Sequence, residues 1–249
     1  MINTQFRDLT LTPITAEETL VIACDSSAGI GEKKADVVAV DPAITAAYSL
    51  RVPLLELMCF GAHPITVIDT VGNEMVPTGE RIISGVKAEL ARAQLSDIPL
   101  NGSTEDNMAT LTTSIGITVI GRIQTANIPK PATVDLTVFK LGTPYVGNEV
   151  VAHLNQIFSY DKVRQIRGNT DVVDMLPVGS KGVTYELDQM AQTNHLETHY
   201  LVDHDLPELN TSAGPATVVL VGVKKTRAKA VSQAFPELVA VAELRRPKL

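Results

Sequence analysis

The sequence predicts an α+β protein of two domains. Its 249 residues are enough for one large or two modest domains, and 45% of them are apolar, so each domain can bury a substantial core. Strand-like and helical patterns follow one another without the strict alternation of a doubly wound parallel sheet. The segment 126–131 (ANIPKP) has two prolines and no apolar periodicity, which is typical of a linker. The predicted domains are therefore 1–126 and 127–249.

The first domain is predicted to have the element order ββαβαββ. Pro53 predicts a kink or restart in its first helix and Gly61 the end of that helix, whereas Thr78 is the expected N-cap of the second helix. The strands are expected at 19–25, 36–40, 65–71, 98–100 and 109–123, and the helices at 43–60 and 78–93.

The second domain is predicted to mix strands and helices in the same irregular way. Its strands are expected at 134–141, 171–176, 197–202, 216–223 and 238–244, and its helices at 148–158, 160–167, 182–193 and 224–235.

Composition narrows the functional classes. With 28 acidic and 21 basic residues the net charge is −7, and no basic stripe with interleaved aromatics offsets it, which disfavours nucleic acid as a partner. Residues 1–13 lack the apolar core of a signal peptide, and no run reaches the roughly 18 apolar residues of a membrane span. Cys24 and Cys59 lie in apolar runs, which predicts buried thiols and fits a reducing compartment. The expected location is the cytoplasm.

Familiar catalytic motifs are missing from the sequence. It contains no GxxxxGK[ST], no GxGxxG after a strand, no HExxH, no GxSxG and no CxxC. The five histidines lack ligand spacing and are interpreted as structural. Chemistry is therefore expected from carboxylates near strand ends and from glycine-rich turns.

Asp25 and the turn after it form the first candidate site. Asp25 follows the apolar run TLVIAC and precedes SSAGIGEKK, so its carboxylate is expected at a strand terminus beside backbone N–H donors. Such a place suits a metal ion or a phosphate, and Asp25 is predicted to be both a metal ligand and a catalytic residue. Gly29 and Gly31 are expected to bind the cofactor, and Lys33 is the second catalytic candidate. The alternative role for Asp25 is turn initiation.

Two further acidic positions are candidate metal ligands. Glu56 lies in the apolar helix segment LLELMCF, where a buried carboxylate requires a partner. Glu105 and Asp106 are adjacent in the polar loop NGSTEDNM, which taken alone is typical of a solvated turn. Combined with Asp25, these carboxylates could converge and hold Mg²⁺ against an anionic substrate. The residues of this loop expected to bind the cofactor are Gly102, Ser103 and Thr104.

In the second domain, the segment PVGSKGVTYELDQMA predicts a phosphate-binding helix start. Gly179, Ser180, Lys181 and Gly182 stand where the first N–H groups of the helix and its dipole favour an anion. An ordinary helix cap with a solvated lysine is the alternative.

The chain resembles the superfamily of aminoimidazole ribonucleotide synthetase, thiamine monophosphate kinase and selenophosphate synthetase. The matching segments are Asp25 with its glycine turn, MCFGAHP at 58–64, NGSTEDN at 101–107, LGTPYVGNEV at 141–150 and the glycine-rich helix start at 177–191. The resemblance implies a ferredoxin-like N-terminal domain that forms a β-barrel in a homodimer, a trimmed α+β C-terminal domain, and a site for ATP and Mg²⁺.

The segments DSSAGIG, VPTGERII and NGSTEDN resemble most closely the branch that contains α-ribazole kinase. This resemblance implies transfer of the ATP γ-phosphoryl group to the 5′-hydroxyl of α-ribazole, in salvage of the lower ligand of cobalamin. Departures from the wider family are Leu55-Glu56 in place of Asn-Asp, residues 101–104 in place of Gly-Gly-Asp/Glu-Thr, and Lys181 in place of glycine.

Two alternatives to an α-ribazole kinase stay open. One is another ATP-dependent activity of the superfamily, such as an amidine-forming cyclo-ligase or a thiamine monophosphate kinase-like reaction, because these differ mainly in the acceptor pocket. The other is a nucleotide-binding regulator without catalysis, favoured by the shifted metal positions.

Overall fold

A computed structural model describes residues 4–247 of the chain. Residues 1–3 and 248–249, with which the two predicted domains begin and end, lie outside the described residues. The chain divides into two compact units. The first contains the residues up to Leu57 together with Ala62–Ala126, and the second contains Met58–Gly61 together with the residues from Asn127 onward.

The first unit is built on a six-stranded sheet whose strands lie in the order β1 (Gln5–Phe6), β2 (Leu9–Pro13), β3 (Glu18–Ala28), β8 (Ser114–Gln124), β6 (His63–Val71) and β7 (Leu100–Thr104). All neighbouring strands are antiparallel except β6 and β7, which are parallel. The sheet is open within the described residues, with β1 and β7 at its edges. The other elements are β4 (Ile30–Gly31), β5 (Val38–Ala39), α1 (Pro42–Phe60) and α2 (Glu80–Arg92).

Alternation along the long central strands decides which face of this sheet is buried. Every second residue of β8, from Ile115 to Ile123, is buried, and Val21 and Ala23 of β3 point to the same inner face. α1 supplies fully buried leucines to the core of the same unit, including Leu50, Leu54 and Leu57. The opposite, outer face carries partly exposed residues.

Several details of the first unit differ from the prediction. β3 continues to Ala28, three residues beyond the expected end, because the polar residues 25–28 still pair with β8. α1 runs through Pro53 without ending. Thr78 is not an N-cap: α2 begins at Glu80 after a π-helical turn at Met75–Gly79, and the Thr78 hydroxyl donates to Glu74 instead.

The strand boundaries near the two polar loops were also misplaced. The second strand shrinks to Val38–Ala39, β7 begins at Leu100, and β8 begins only at Ser114. Neither cysteine forms a disulfide among residues 4–247, but the expected burial of Cys24 is wrong. Cys24 is exposed because it alternates with the inward-facing Ala23 and Asp25 on β3.

The second unit contains a five-stranded antiparallel sheet in the order β10 (Val172–Pro177), β12 (Val218–Lys224), β9 (Leu136–Gly142), β13 (Val239–Arg245) and β11 (Glu197–Tyr200). α5 packs on this sheet through buried Val183, Leu187 and Met190. The predicted bounds of α4 and α5 are confirmed, whereas α3 and α7 are shorter than expected and each adjoins a 3₁₀ turn. The helices are α3 (Asn148–Ala152), α4 (Tyr160–Arg167), α5 (Gly182–Thr193), α6 (Pro207–Asn210) and α7 (Ala228–Ala234).

One helix in the described part of the chain, α1, is long and apolar enough to cross a membrane by length and composition. About 72% of its most apolar window is buried within the protein, as is typical of the core helix of a globular unit.

Candidate active site

Asp25 lies inside strand β3 and points to the inner face of the sheet. Ser27, two residues further along the same face, accepts a hydrogen bond from the Ser49 hydroxyl of α1 at 2.9 Å. Burial raises the pKa of Asp25 to about 6, although a hydrogen bond from the Ser26 backbone opposes the shift. Because the strand continues beyond it, Asp25 does not initiate a turn. A half-buried carboxylate in a strand instead suits the binding of a cation.

Asp69 of β6 is a second inward-facing carboxylate, and the sequence analysis missed it. Asp25 is paired with Ile117 of β8, and Ile117 is paired with Asp69, so the two aspartates lie in one cross-strand row on one face. Adjacent strands are about 4.8 Å apart, which separates the two backbones by about 10 Å. Asp69 is only 4% exposed, and burial raises its pKa. The feature of the sequence that could have revealed Asp69 is an acidic residue at an inward-facing position of the run ITVIDTV.

Gly102 extends the same row onto β7. It is paired with Asp69, and a Cβ atom at this position would lie 1.6 Å from Oδ1 of Asp69 and 2.3 Å from its carbonyl oxygen. The carboxylate of Asp69 therefore occupies the space that any larger residue would fill. This close approach explains the glycine in NGST independently of any cofactor. Ser103 and Thr104 follow on the same edge strand.

Glu56 lies on the stripe of α1 that faces β3. The hydroxyls of Thr45 and Ser49 bond to Ile30 and Ser27, so α1 runs antiparallel to β3. The Oε2 atom of Glu56 is inaccessible to solvent. The next residue, Leu57, lies against Gly121, which is paired with Val21 of β3, four residues before Asp25. The role of Glu56 as a metal ligand therefore stays a prediction.

The glycine turn after β3 is held tightly by its own residues. Gly29 has a φ of +75°, and its N–H donates to the Thr113 carbonyl. A Cβ atom at Gly31 would lie 2.1 Å from Oγ1 of Thr113, so only glycine fits. Asp36 accepts hydrogen bonds from the Lys33 N–H and from both the N–H and the hydroxyl of Thr113. The turn is therefore a fixed structure, and the N–H of Gly29 is engaged within it.

Lys33 extends from this turn to Glu74. Its Nζ atom lies 2.5 Å from Oε2 of Glu74, and the Thr78 hydroxyl donates to Oε1 of the same carboxylate. The hydrogen bond from Lys33 is the largest cause, and that from Thr78 the next, of a Glu74 pKa lowered to about 2. Glu74 is therefore ionised at any physiological pH.

Glu105 and Asp106 are more than a solvated turn. Asp106 accepts hydrogen bonds from the Thr104 hydroxyl at 2.7 Å and from the Met75 N–H at 2.9 Å, which together lower its pKa. Oε1 of Glu105 accepts from the N–H groups of residues 107 and 108. The two carboxylates hold their loop in place while Asp106 stays exposed and charged.

No three of the carboxylates predicted to bind metal have ligand atoms within 4.8 Å of one another among residues 4–247. The three residues of this range that meet that distance are Asp203, His204 and Asp205, and all three are exposed. The expected convergence of Asp25, Glu56 and the 105–106 pair on one Mg²⁺ site stays a prediction, because such a site was expected to use only one or two of these carboxylates. Mg²⁺ commonly takes only one or two carboxylates and completes its shell with water and phosphate oxygens, and the inward-facing carboxylates fit that chemistry.

The predicted helix start of the second unit is present. α5 begins at Gly182, whose φ of +81° and close approach to the Leu209 carbonyl require glycine. The carbonyl of Gly179 accepts from the N–H groups of Gly182 and Ala213, and Ser180 lies beside the loop at Gly214. Nζ of Lys181 lies 4.1 Å from the ring centroid of Tyr185. The lysine is thus stacked on an aromatic ring instead of being simply solvated.

No model of a known protein family matches the sequence, and no curated protein sequence matches it. Solved structures do match the fold. PurL from Thermotoga maritima in complex with ATP superposes with a TM-score of 0.67 and 12% identity, over 95% of this chain and 42% of that one. This chain thus spans about two fifths of the length of PurL.

Thiamine monophosphate kinases match over more of their own length. The Aquifex aeolicus enzyme in complex with AMPPCP and TMP gives a TM-score of 0.69 with 12% identity, over 99% of this chain and 87% of that one. The enzyme from Stenotrophomonas maltophilia gives 0.63 with 14% identity, over 97% and 90%. At the level of fold, these matches confirm the α+β class.

Proposed function

We propose that the protein is an ATP-dependent small-molecule kinase that transfers the γ-phosphoryl group of ATP to the 5′-hydroxyl of α-ribazole. The observation that carries the kinase proposal is the inward-facing carboxylate row of Asp25 and Asp69 beside a rigid glycine turn that presents Lys33. The neighbours of known structure support it, since one holds ATP and another AMPPCP with TMP. The choice of α-ribazole rests on the resemblance of DSSAGIG, VPTGERII and NGSTEDN.

The proposed roles follow from the charges that phosphoryl transfer must neutralise. Asp25, Glu56 and Asp69 would hold Mg²⁺, which would offset the charge of the triphosphate. Lys33 places a further positive charge at the glycine turn, and Asp106 and Glu105 keep the neighbouring loop in place or bind a second ion. The 5′-oxygen of the acceptor bonds to the γ-phosphorus while its proton passes to water, the bond from that phosphorus to the bridging oxygen breaks, and ADP leaves.

The remaining predicted cofactor residues have supporting roles in this proposal. Gly29 and Gly31 shape the turn, and Gly102 to Thr104 present the edge strand β7 beside Asp69. The start of α5, with Gly179 to Gly182 and Lys181, is a second place in the chain that suits a phosphate group, through helix N–H groups and one cation.

We also propose that the protein is a homodimer joined through the outer face of the six-stranded sheet. This face, opposite α1 and α2, carries Ile22 and Ile120, which are paired with each other, and Ile68, which is 40% exposed. Pairing of edge strands between two copies would close their sheets into a barrel and bury these side chains inside it. We also propose that the protein is located in the cytoplasm.

The decisive experiment measures ADP release with Mg²⁺ and ATP on three acceptors in parallel, with mass spectrometry of each product. The acceptors are α-ribazole, thiamine monophosphate and formylglycinamidine ribonucleotide, and the Asp25→Asn variant is the control. Turnover of α-ribazole to its 5′-phosphate is expected. The ThiL likeness makes thiamine monophosphate the second candidate. Turnover of thiamine monophosphate or of the ribonucleotide, without α-ribazole, would replace the proposal, and nucleotide binding without turnover would favour a regulator.

A further inference from the structure

The ion pair between Lys33 and Glu74 joins two loops of the first unit that are 41 residues apart in sequence. Nζ of Lys33 lies 2.5 Å from Oε2 of Glu74, and the side chains are only 23% and 28% exposed. Oε1 of Glu74 accepts from the Thr78 hydroxyl, also at 2.5 Å. Each oxygen of the carboxylate is therefore engaged, one by a cation and the other by a hydroxyl.

The backbone of Lys33 is fixed independently of this ion pair. Its N–H donates to Oδ2 of Asp36 at 2.7 Å, and the same oxygen accepts from the Thr113 hydroxyl at 2.7 Å. The other carboxylate oxygen of Asp36 accepts from the Thr113 N–H. Lys33 is thus held at its main chain by Asp36 and at its ammonium group by Glu74.

Glu74 is itself held on both sides. The buried side chain of Asn73 donates to the Thr110 hydroxyl and accepts from the Ser114 N–H, and the Met75 N–H donates to Asp106. Neither neighbour of Glu74 can shift without breaking a hydrogen bond to the loop between β7 and β8. The carboxylate is therefore presented from a rigid segment.

We propose that Glu74 is the positioning residue of Lys33: its carboxylate fixes the ammonium group at the glycine turn, where it meets the nucleotide phosphates. This inference rests on the proposed function, in which Lys33 neutralises phosphate charge. A lysine side chain has four rotatable bonds, and freezing them at the moment of reaction would lower the rate. Glu74 freezes them beforehand through a charge-assisted hydrogen bond, and Thr78 orients Glu74.

A double-mutant cycle separates positioning from a general structural role. The variants are Lys33→Met, Glu74→Gln and the double variant, and the readouts are kcat for phosphoryl transfer and the Kd of Mg²⁺·AMPPCP. We expect Glu74→Gln to lower kcat and nucleotide affinity about 10-fold, within the range of coupling between contacting residues. In the Lys33→Met background the same substitution should change either quantity by less than about twofold.

Glu32→Gln is the matched control. Glu32 precedes Lys33 in the same turn and forms a more exposed, bidentate ion pair with Arg81, so its loss removes an ion pair of the turn without touching Lys33. Three results would each overturn the inference. Glu74→Gln could lower kcat and nucleotide affinity equally in the wild-type and in the Lys33→Met background, it could tighten nucleotide binding, or Glu32→Gln could have an effect as large as that of Glu74→Gln. If the wild type phosphorylates none of the acceptors, the proposed function is wrong. The double-mutant cycle on the Kd of Mg²⁺·AMPPCP then decides alone whether Glu74 positions Lys33.

Discussion

The Asp25→Asn substitution removes a charge from the inner face of the sheet and keeps the shape of the side chain. Burial raises the pKa of Asp25 from 3.8 to about 6 because the ionised form loses more hydration than the neutral form. The folded protein therefore binds this proton more tightly than the unfolded chain. The stabilisation from protonated Asp25 is fully present below pH 3.8 and is lost as the pH rises through 6.

The size of the effect follows from the two pKa values. At about 1.4 kcal/mol per pH unit between 3.8 and 6, ionised Asp25 disfavours the folded state by at most about 3 kcal/mol above pH 6. Water reaches part of the side chain, so about 1–2 kcal/mol is a better expectation. Asparagine carries no charge, so the variant should be more stable than the wild type by that amount at pH 8. At pH 4 the two should agree within about 0.5 kcal/mol.

Urea unfolding at pH 4, 6 and 8 in the presence of a chelator measures this difference. Glu80→Gln, on the exposed start of α2, is the control for a general change of net charge. Adding Mg²⁺ and AMPPCP at about 100 times their Kd should then stabilise the wild type by about 2.7 kcal/mol and the Asp25→Asn variant far less. A difference independent of pH would refute burial as the cause of the raised pKa. Equal stabilisation by the ligands would refute Asp25 as a metal ligand.

Two further predictions concern the sheet. Ile120→Glu places a charge at the centre of the outer face, beside Ile22, and should convert the proposed homodimer into a monomer. Sedimentation at micromolar concentration measures this, and a wild type that is already monomeric would contradict the proposed interface. Gly102→Ala brings a methyl group to 1.6 Å from the Asp69 carboxylate and should lower the free energy of unfolding by about 2 kcal/mol or more. Gly179→Ala, where the nearest contact would be an ordinary 3.5 Å, should change it much less, and equal effects on the two would contradict the steric explanation.

The spacing of apolar residues predicted those elements whose ends depend on residues close by in the sequence. α4 and α5 begin and end where their apolar periodicity does, since their buried faces are continuous. The end of β3 could not be predicted because Asp25 and the residues after it are polar, and only pairing with the partner strand β8 keeps them extended. Thr78 has the side chain of a good N-cap, but a carboxylate four residues earlier binds its hydroxyl. That competition depends on tertiary structure.

The candidate site was predictable to a similar extent. Asp25 was predicted because it directly follows an apolar strand and precedes a glycine-rich turn, whereas Asp69 was not predicted because it lies inside a run that resembles an ordinary core strand. Its importance depends on the register that places it opposite Ile117 and Gly102. The register between strands that are distant in sequence depends on the whole sheet and cannot be predicted from either strand alone.

The buried carboxylates connect the stability of the protein with its ligand. Asp25 and Asp69 both have pKa values raised by burial, so each disfavours the folded state when it is ionised. A sheet optimised only for stability would carry apolar residues at both positions, as it does at Ile117 between them. A bound cation reverses the effect, because a nearby positive charge favours the ionised form and lowers both pKa values. In the proposed complex the same two residues would therefore be stabilising, and the pH dependence should be reversed: the stability of the complex should fall as the pH drops and these carboxylates become protonated.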